Sequence, residues 1–262
     1  MYETPKWLER TALLIKDEPL EKLKNTNVLL VGLGGVGSFA AEFLVRAGIG
    51  QLTIVDGDIV DITNINRQLP ALTSTIAKSK AELMKARLLD INPELDLLAV
   101  NKFLNPDETT ELVNKYNYDY VMDCIDSITP KLFLLKAAKL KGCKIISSMG
   151  AGGKTDSMKL KYADISKTHM CPFAAYIRKR LKAEEVYSGI MTVFSEEQPD
   201  RSSIKMTDGS NFKNSFYGTI SYIPALFGLH MASWVVQDIS GIFEPTPLCI
   251  PRNINRLRRK TK

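Results

Sequence analysis

Short apolar runs alternate with longer amphipathic segments through the first part of the chain. Asn27–Val31 (NVLLV) is a continuous apolar run that stops at glycines, the pattern of a strand covered on both faces. Gln51–Asp56 (QLTIVD), Leu95–Val100, Tyr120–Cys124 (YVMDC) and Lys144–Ser148 (KIISS) repeat it. Between them the spacing predicts helices over Gly35–Ala47, stopped by Gly48 and Gly50, over Ile76–Ile91, stopped by Asn92–Pro93, and over Pro106–Tyr116. A fourth is expected from a Ser127 cap to Lys141, with Gly142 at its end. A polar loop through Gln68 leads from the second strand to its helix. This alternation predicts an α/β fold: a Rossmann-like, doubly wound, mainly parallel sheet with ligands at the carboxyl ends of the strands.

After Gly153 the rhythm changes. Lys159–Ala163 and Ile190–Phe194 read as strands, Pro172–Lys182 as a basic helix, Glu196–Asn214 as a loop and Ser221–Ile239 as a last helix. The expected organisation is a helical arm over 1–26, a nucleotide-binding core over 27–150, and over 151–262 an elaborated C-terminal half of the same domain. That half ends in a basic tail, Arg252–Lys262, expected to be mobile. The longest apolar stretch, Tyr217–Gln237, is interrupted by Pro224 and His230, so a buried helix is expected there and no stable membrane span.

Composition narrows the class. With 45% hydrophobic and 24% charged residues the chain is neither disordered, collagen-like nor a small disulfide scaffold. Its four cysteines include no CxxC pair, and no secretory signal opens the sequence, so reduced thiols and a cytoplasmic location are expected. A net charge of +6 admits an anionic partner.

Gly32-Leu33-Gly34-Gly35-Val36-Gly37 follows a predicted strand and opens a helix, where backbone N–H groups can cradle a phosphate. Asp56 ends the next strand, where a carboxylate can accept from ribose hydroxyls. The glycines alone do not separate a redox dinucleotide from ATP. Downstream stand Asp58, Asn64, Arg67, Gln68, Lys80 and Asp126. Arg67 and Lys80 supply two cations suited to a triphosphate and a leaving pyrophosphate, and Asp126, past the fourth strand, is placed to hold Mg²⁺. Singly, Arg67 and Lys80 also read as solvated charges and Asp126 as a helix cap; together they are more specific.

GLGGVG, VDGDIV, NINRQ, Lys80 and the aspartate of CID resemble the E1-like, ATP-dependent adenylating superfamily that includes the ThiF, MoeB and HesA proteins. The resemblance implies that Asp56 holds ribose, that Asn64, Arg67 and Lys80 contact phosphates, and that Asp126 binds the Mg²⁺ of ATP. It also implies that Arg10 reaches the ATP site of a partner subunit in a homodimer. Two CxxC pairs, usual in the sulfur-carrier-activating members, are missing, so no zinc is expected.

A narrower likeness covers the second half: SSMGAGGK from Ser147, DISKT from Asp164, RKRL from Arg178 and FSEEQP from Phe194. It resembles the TcdA (CsdL) branch, whose members are tRNA threonylcarbamoyladenosine dehydratases; Cys171-Pro172 departs from that branch's usual Asp-Pro. The implied reaction is ATP-dependent cyclising dehydration of N6-threonylcarbamoyladenosine in tRNA through a carboxyl-adenylate. The alternative is adenylation of the C-terminus of a ubiquitin-like sulfur carrier. Arg178, Lys179, Arg180 and Lys182 form a basic cluster suited to tRNA phosphates, and equally to a solvated face. A cysteine desulfurase or sulfur-acceptor partner, and a monovalent cation (K⁺ or Na⁺) at Gly150–Gly153, complete the expectations. His169 reads as a weak general-base candidate and His230 as a core residue.

Overall fold

The computed structural model describes residues 4–207 and 215–241. One sheet contains β1 (Asn27–Val31), β2 (Gln51–Val55), β3 (Asp96–Val100), β4 (Tyr120–Asp123), β5 (Lys144–Ser148), β6 (Leu160–Asp164) and β7 (Met191–Ser195). Their order is β3-β2-β1-β4-β5-β7-β6, and every neighbouring pair is parallel except β6 with β7. The helices are α1 (Glu9–Ile15), α2 (Asp17–Lys24), α3 (Gly37–Ala47), α4 (Lys80–Ile91), α5 (Pro106–Lys115), α6 (Ile128–Lys141), α7 (Pro172–Ala183) and α8 (Tyr222–Ser240).

Strand side chains alternate between two cores. In β1, Val28 and Leu30 pack with residues of α3, α4 and α8, whereas Leu29 packs with α5, α6 and α7. Both faces are covered, which is why the strand reads as an unbroken apolar run. The order in which strands are added reverses between β1 and β4, so the connections after these two parallel strands leave in opposite directions at the carboxyl edge, the usual ligand position in such sheets.

The second half joins this architecture. Strands β6 and β7 extend the sheet beyond β5, and α8 lies across α3. A Cβ on Gly228 of α8 would sit 2.3 Å from the Val36 carbonyl, so this helix approaches the first turn of α3 at backbone distance. Ile223, Phe227, Met231 and Val235 bury one face of α8. Among the described residues no helix is long and apolar enough to cross a membrane. The arm is docked on its own chain: Leu8, Leu20 and Leu23 are buried, and Leu8 and Leu20 pack around Gly48 at the end of α3.

Three expectations need correction. Helix α4 begins at Lys80, not Ile76, because the preceding backbone is engaged elsewhere. Ala77 has a φ of 66° and donates to the Val60 carbonyl, and the Lys78 carbonyl accepts from Val60; the Ser79 hydroxyl then caps the helix by accepting the Glu82 N–H at 3.3 Å. Ser127 occupies the start of α6 without making a side-chain capping bond. Within Glu196–Asn214, which read as loop, Ile204–Met206 forms β8 and pairs antiparallel with β9 (Ser215–Tyr217). These strands are largely exposed and bury no face, so no alternation marks them. The basic tail Arg252–Lys262 lies outside the described residues.

Candidate functional site

The loop between β1 and α3 is shaped by contacts that exclude side chains. Gly32 has a φ of 96°, and a Cβ there would meet the Cys124 carbonyl at 2.9 Å. A Cβ on Gly37 would lie 1.8 Å from the Gly32 carbonyl. The turn therefore closes on itself and against the β4 loop. Gly34 differs: a Cβ there would meet only Gln68 Nε2, at 3.7 Å, which leaves room over the loop. A Cβ on Gly35 would meet Pro224 of α8 at 3.0 Å and the Arg67 carbonyl at 3.2 Å.

Asp56 binds this loop. One carboxylate oxygen accepts the Leu33 N–H at 2.6 Å and the other the Asp58 N–H at 2.8 Å. Burial raises its pKa, opposed by those two amides and by the Lys80 charge. Lys80 is buried at the first position of α4; its ammonium pairs with Asp58 at 2.9 Å, and its N–H donates to the Asp58 carbonyl. Asp58 itself is half-exposed.

The Asn64–Gln68 segment follows a short turn capped by Asp61. Asn64 is buried, and its Oδ1 accepts the Asp61 N–H at 3.2 Å. Arg67 donates to the Thr63 carbonyl and to Asn66 Oδ1, each at 2.9 Å. Burial lowers the Arg67 pKa, and the charge of Asp126 opposes that shift. Asn66 donates to the Thr219 carbonyl at 2.9 Å, tying this segment to the approach to α8. Gln68 Oε1 is a buried acceptor without a partner among the described residues, beside the open Gly34. An orphaned polar atom next to a loop with free space suits a polar ligand lying over the glycines.

These observations bring Gly32, Gly34, Gly35, Gly37, Asp56, Asp58, Asn64, Arg67, Gln68, Lys80 and Asp126 to one edge of the sheet. Arg10 is elsewhere. It is exposed on α1, whose preceding Leu8 packs at the far end of α3, about 16 Å along an eleven-residue helix from the glycine loop of its own chain.

The basic helix divides. Arg178 is half-buried and bonds the Thr168 hydroxyl and, at 3.0 Å, the Thr168 carbonyl, so it braces the approach to α7. Lys179, Arg180 and Lys182 are exposed, with Arg180 bonded to Tyr176 Oη at 3.3 Å. At Gly150–Gly153 the ammonium of buried Lys154 donates to the Gly150 carbonyl at 2.6 Å, a protein cation beside the expected ion. His169 pairs with Glu196 at 3.0 Å on the surface, and His230 bonds Tyr162, its pKa lowered by burial.

The residues fit Mg²⁺ together with ATP. Among the described residues no group of three His, Cys, Asp or Glu could hold a metal by itself. Mg²⁺, however, commonly takes one or two carboxylates plus substrate phosphates, and Asp126, exposed in the connection after β4, offers such a donor. The sequence missed one part of the neighbourhood: Lys131 pairs with Asp123, both fully buried beneath the β4 loop.

The model of the ThiF family matches residues 8–260. The chain is 42% identical over 243 residues to the tRNA threonylcarbamoyladenosine dehydratase of Bacillus subtilis, covering 88% of this chain and 93% of that protein. The Haemophilus influenzae protein of the same name is 36% identical over 237 residues, covering 86% and 90% respectively. The solved structure of Escherichia coli tRNA N6-threonylcarbamoyladenosine dehydratase, TcdA, in complex with ATP aligns with a TM-score of 0.81 at 32% identity, covering 92% of this chain and 98% of that one.

Proposed function

The chain belongs to the ThiF family, and from that premise we propose that it dehydrates N6-threonylcarbamoyladenosine in tRNA with cleavage of ATP. The observation that carries the reading is that similarity to named dehydratases runs through the second half as well as the nucleotide core, over 88% of the chain. The absence of CxxC pairs from the sequence speaks against the sulfur-carrier alternative.

The chemistry follows from the charges. The substrate carboxylate is a poor electrophile because its leaving group would be oxide. Its oxygen attacks the α-phosphorus of ATP, pyrophosphate departs and a carboxyl-adenylate forms. A nitrogen or oxygen of the same carbamoyl unit then attacks the activated carbonyl, closes a five-membered ring and expels AMP. The oxygen of the lost water leaves on AMP. Ring closure is intramolecular, so no enzymic nucleophile is required.

The protein's task is to offset repulsion between two anions. Glycine-loop amides, Arg67 and Lys80 receive the phosphates, Asn64 and Gln68 orient them, and Asp56 and Asp58 order the loop and the ribose side. Asp126 would hold Mg²⁺, which when bound would supply further charge neutralisation on the phosphates. Arg10 acts in trans from a second copy. Trp7, Leu13 and Leu14 are 44%, 70% and 74% exposed on the same arm, an apolar surface suited to a homodimer. A monovalent cation at Gly150–Gly153 would share its carbonyls with Lys154. Burial pushes up the Cys124 and Cys143 thiols and Cys171 is buried, so none of these three described cysteines is assigned to a sulfur relay. Action on tRNA supports a cytoplasmic location.

Incubation with ATP, Mg²⁺ and tRNA, followed by nucleoside mass spectrometry, tests the reading. Threonylcarbamoyladenosine should lose the mass of one water, and ¹⁸O in its carboxylate should appear in AMP. Pyrophosphate exchange that depends on a small carrier protein, with tRNA unchanged, would select the alternative.

The exposed part of α7 makes a separate expectation. Replacing Lys179, Arg180 and Lys182 together by alanine should flatten the plot of log tRNA affinity against log salt by about 2–3, at roughly 0.7–0.9 per phosphate contact. Arg178→Ala should instead lower Tm. An unchanged salt slope in the triple variant would remove α7 from the tRNA surface.

A further inference from the structure

A buried ion pair sits directly beneath the β4 loop. Lys131 of α6 and Asp123 at the end of β4 are both completely buried. The Lys131 ammonium bonds Asp123 Oδ2, Ser147 Oγ at 3.2 Å and the Ser148 carbonyl at 3.0 Å. The Ser147 hydroxyl donates to the same Asp123 oxygen. Asp123 Oδ1 accepts the Ile125 N–H at 3.1 Å, and the Phe173 ring centroid lies 5.7 Å from the ammonium.

Removing two charges from water is costly, and apolar residues of similar volume often replace such a pair without loss of stability. The pair's connections point to a different use. Its ammonium joins the end of β4, the second turn of α6 and the end of β5. Asp126 lies in the short connection between the first two, and the Gly150–Lys154 loop leaves the third. The Ile125 bond folds that connection back onto the Asp123 carboxylate. A shift at the buried pair is therefore passed to Asp126 through two residues.

We propose that Lys131, Asp123 and Ser147 are positioning residues that hold the connection carrying the Asp126 carboxylate in place for Mg²⁺-bound phosphate. This role rests on the adenylating chemistry above and not on the identity of the substrate carboxylate. Displacement of a positioned group by about 1 Å can cost on the order of 100-fold in rate.

The test compares Lys131→Met/Asp123→Leu, which removes both charges and refills the volume, with Ser147→Ala, which deletes the two hydrogen bonds of that hydroxyl and keeps both charges. Calorimetry of ATP binding with and without Mg²⁺ is read beside steady-state kinetics. The double variant should melt within a few degrees of wild type and bind metal-free ATP normally. It should lose most of the Mg²⁺-dependent gain in ATP affinity and fall about 10–100-fold in kcat with the tRNA KM unchanged. Ser147→Ala should move the same quantities in the same direction by about 3–10-fold. A folded double variant with wild-type Mg²⁺ dependence and kcat would overturn the role. If the double variant does not fold, wild-type Mg²⁺ dependence in Ser147→Ala does so. Failure of the wild-type enzyme to dehydrate tRNA would remove the substrate assignment alone, because the calorimetric comparison needs no tRNA.

Discussion

Lys80→Ala should lower kcat/KM for ATP by about 100–1,000-fold while leaving the protein folded. The ammonium is buried at the start of α4 with Asp58 as its partner, so under the proposed function its loss removes a cation from the phosphate site and leaves a carboxylate facing the incoming phosphates. Helix N-termini disfavour positive charge, which keeps the stability cost of the substitution small. Asp58→Asn separates the two effects: it releases Lys80 without removing it and should cost roughly tenfold or less. Full turnover in the folded Lys80→Ala protein would place the phosphates elsewhere. The same variant reads the oligomer. Mixed with Arg10→Ala subunits, it should recover about a quarter of wild-type activity, because random pairing gives half mixed dimers with one intact site in each. No recovery, with exchange of subunits demonstrated, would confine Arg10 to its own chain.

Gly37→Ala should be the most damaging single substitution in the loop. Its Cβ would lie 1.8 Å from the Gly32 carbonyl and 3.0 Å from Cys124 Cβ, so both backbone turns must separate. We expect destabilisation of about 3 kcal/mol or more, a fall in Tm of roughly 6–12 °C, and loss of measurable ATP binding. Gly34→Ala is the comparison. Its Cβ meets only the Gln68 amide, at 3.7 Å, so Tm should stay near wild type while ATP affinity falls. A drop in Tm for Gly34→Ala equal to that of Gly37→Ala would mean that both glycines serve packing and neither serves the ligand.

The gathering of the candidate residues at one edge was legible because they sit in local motifs at predictable places. A glycine run between a buried strand and a helix, a carboxylate ending the next strand and polar residues in the following loops are all readable without long-range contacts. Other features were hidden by look-alike residues. Lys131 shares its helix with Lys136, Lys139 and Lys141, which are on the exposed side, and nothing in the spacing marks it as the buried one. Arg178 belongs to a basic cluster of four, yet its guanidinium turns inward to Thr168. Ile76 and Ala77 continue an apolar rhythm, but pairing with Val60 takes Ala77 and Lys78 out of the helix.

Local pattern alone determined the alternation of strands and helices, the glycine turn and the family of the chain, because each depends on residues within a few positions of one another. Tertiary structure decided what depends on distant partners. It put Gly228 and Pro224 of the last helix against the glycine loop, inserted β7 between β5 and β6, and joined Lys131 to the ends of two strands. A lysine's burial and a glycine's clearance are set by whatever packs opposite, and for this chain the opposing residues are often supplied from far along the sequence.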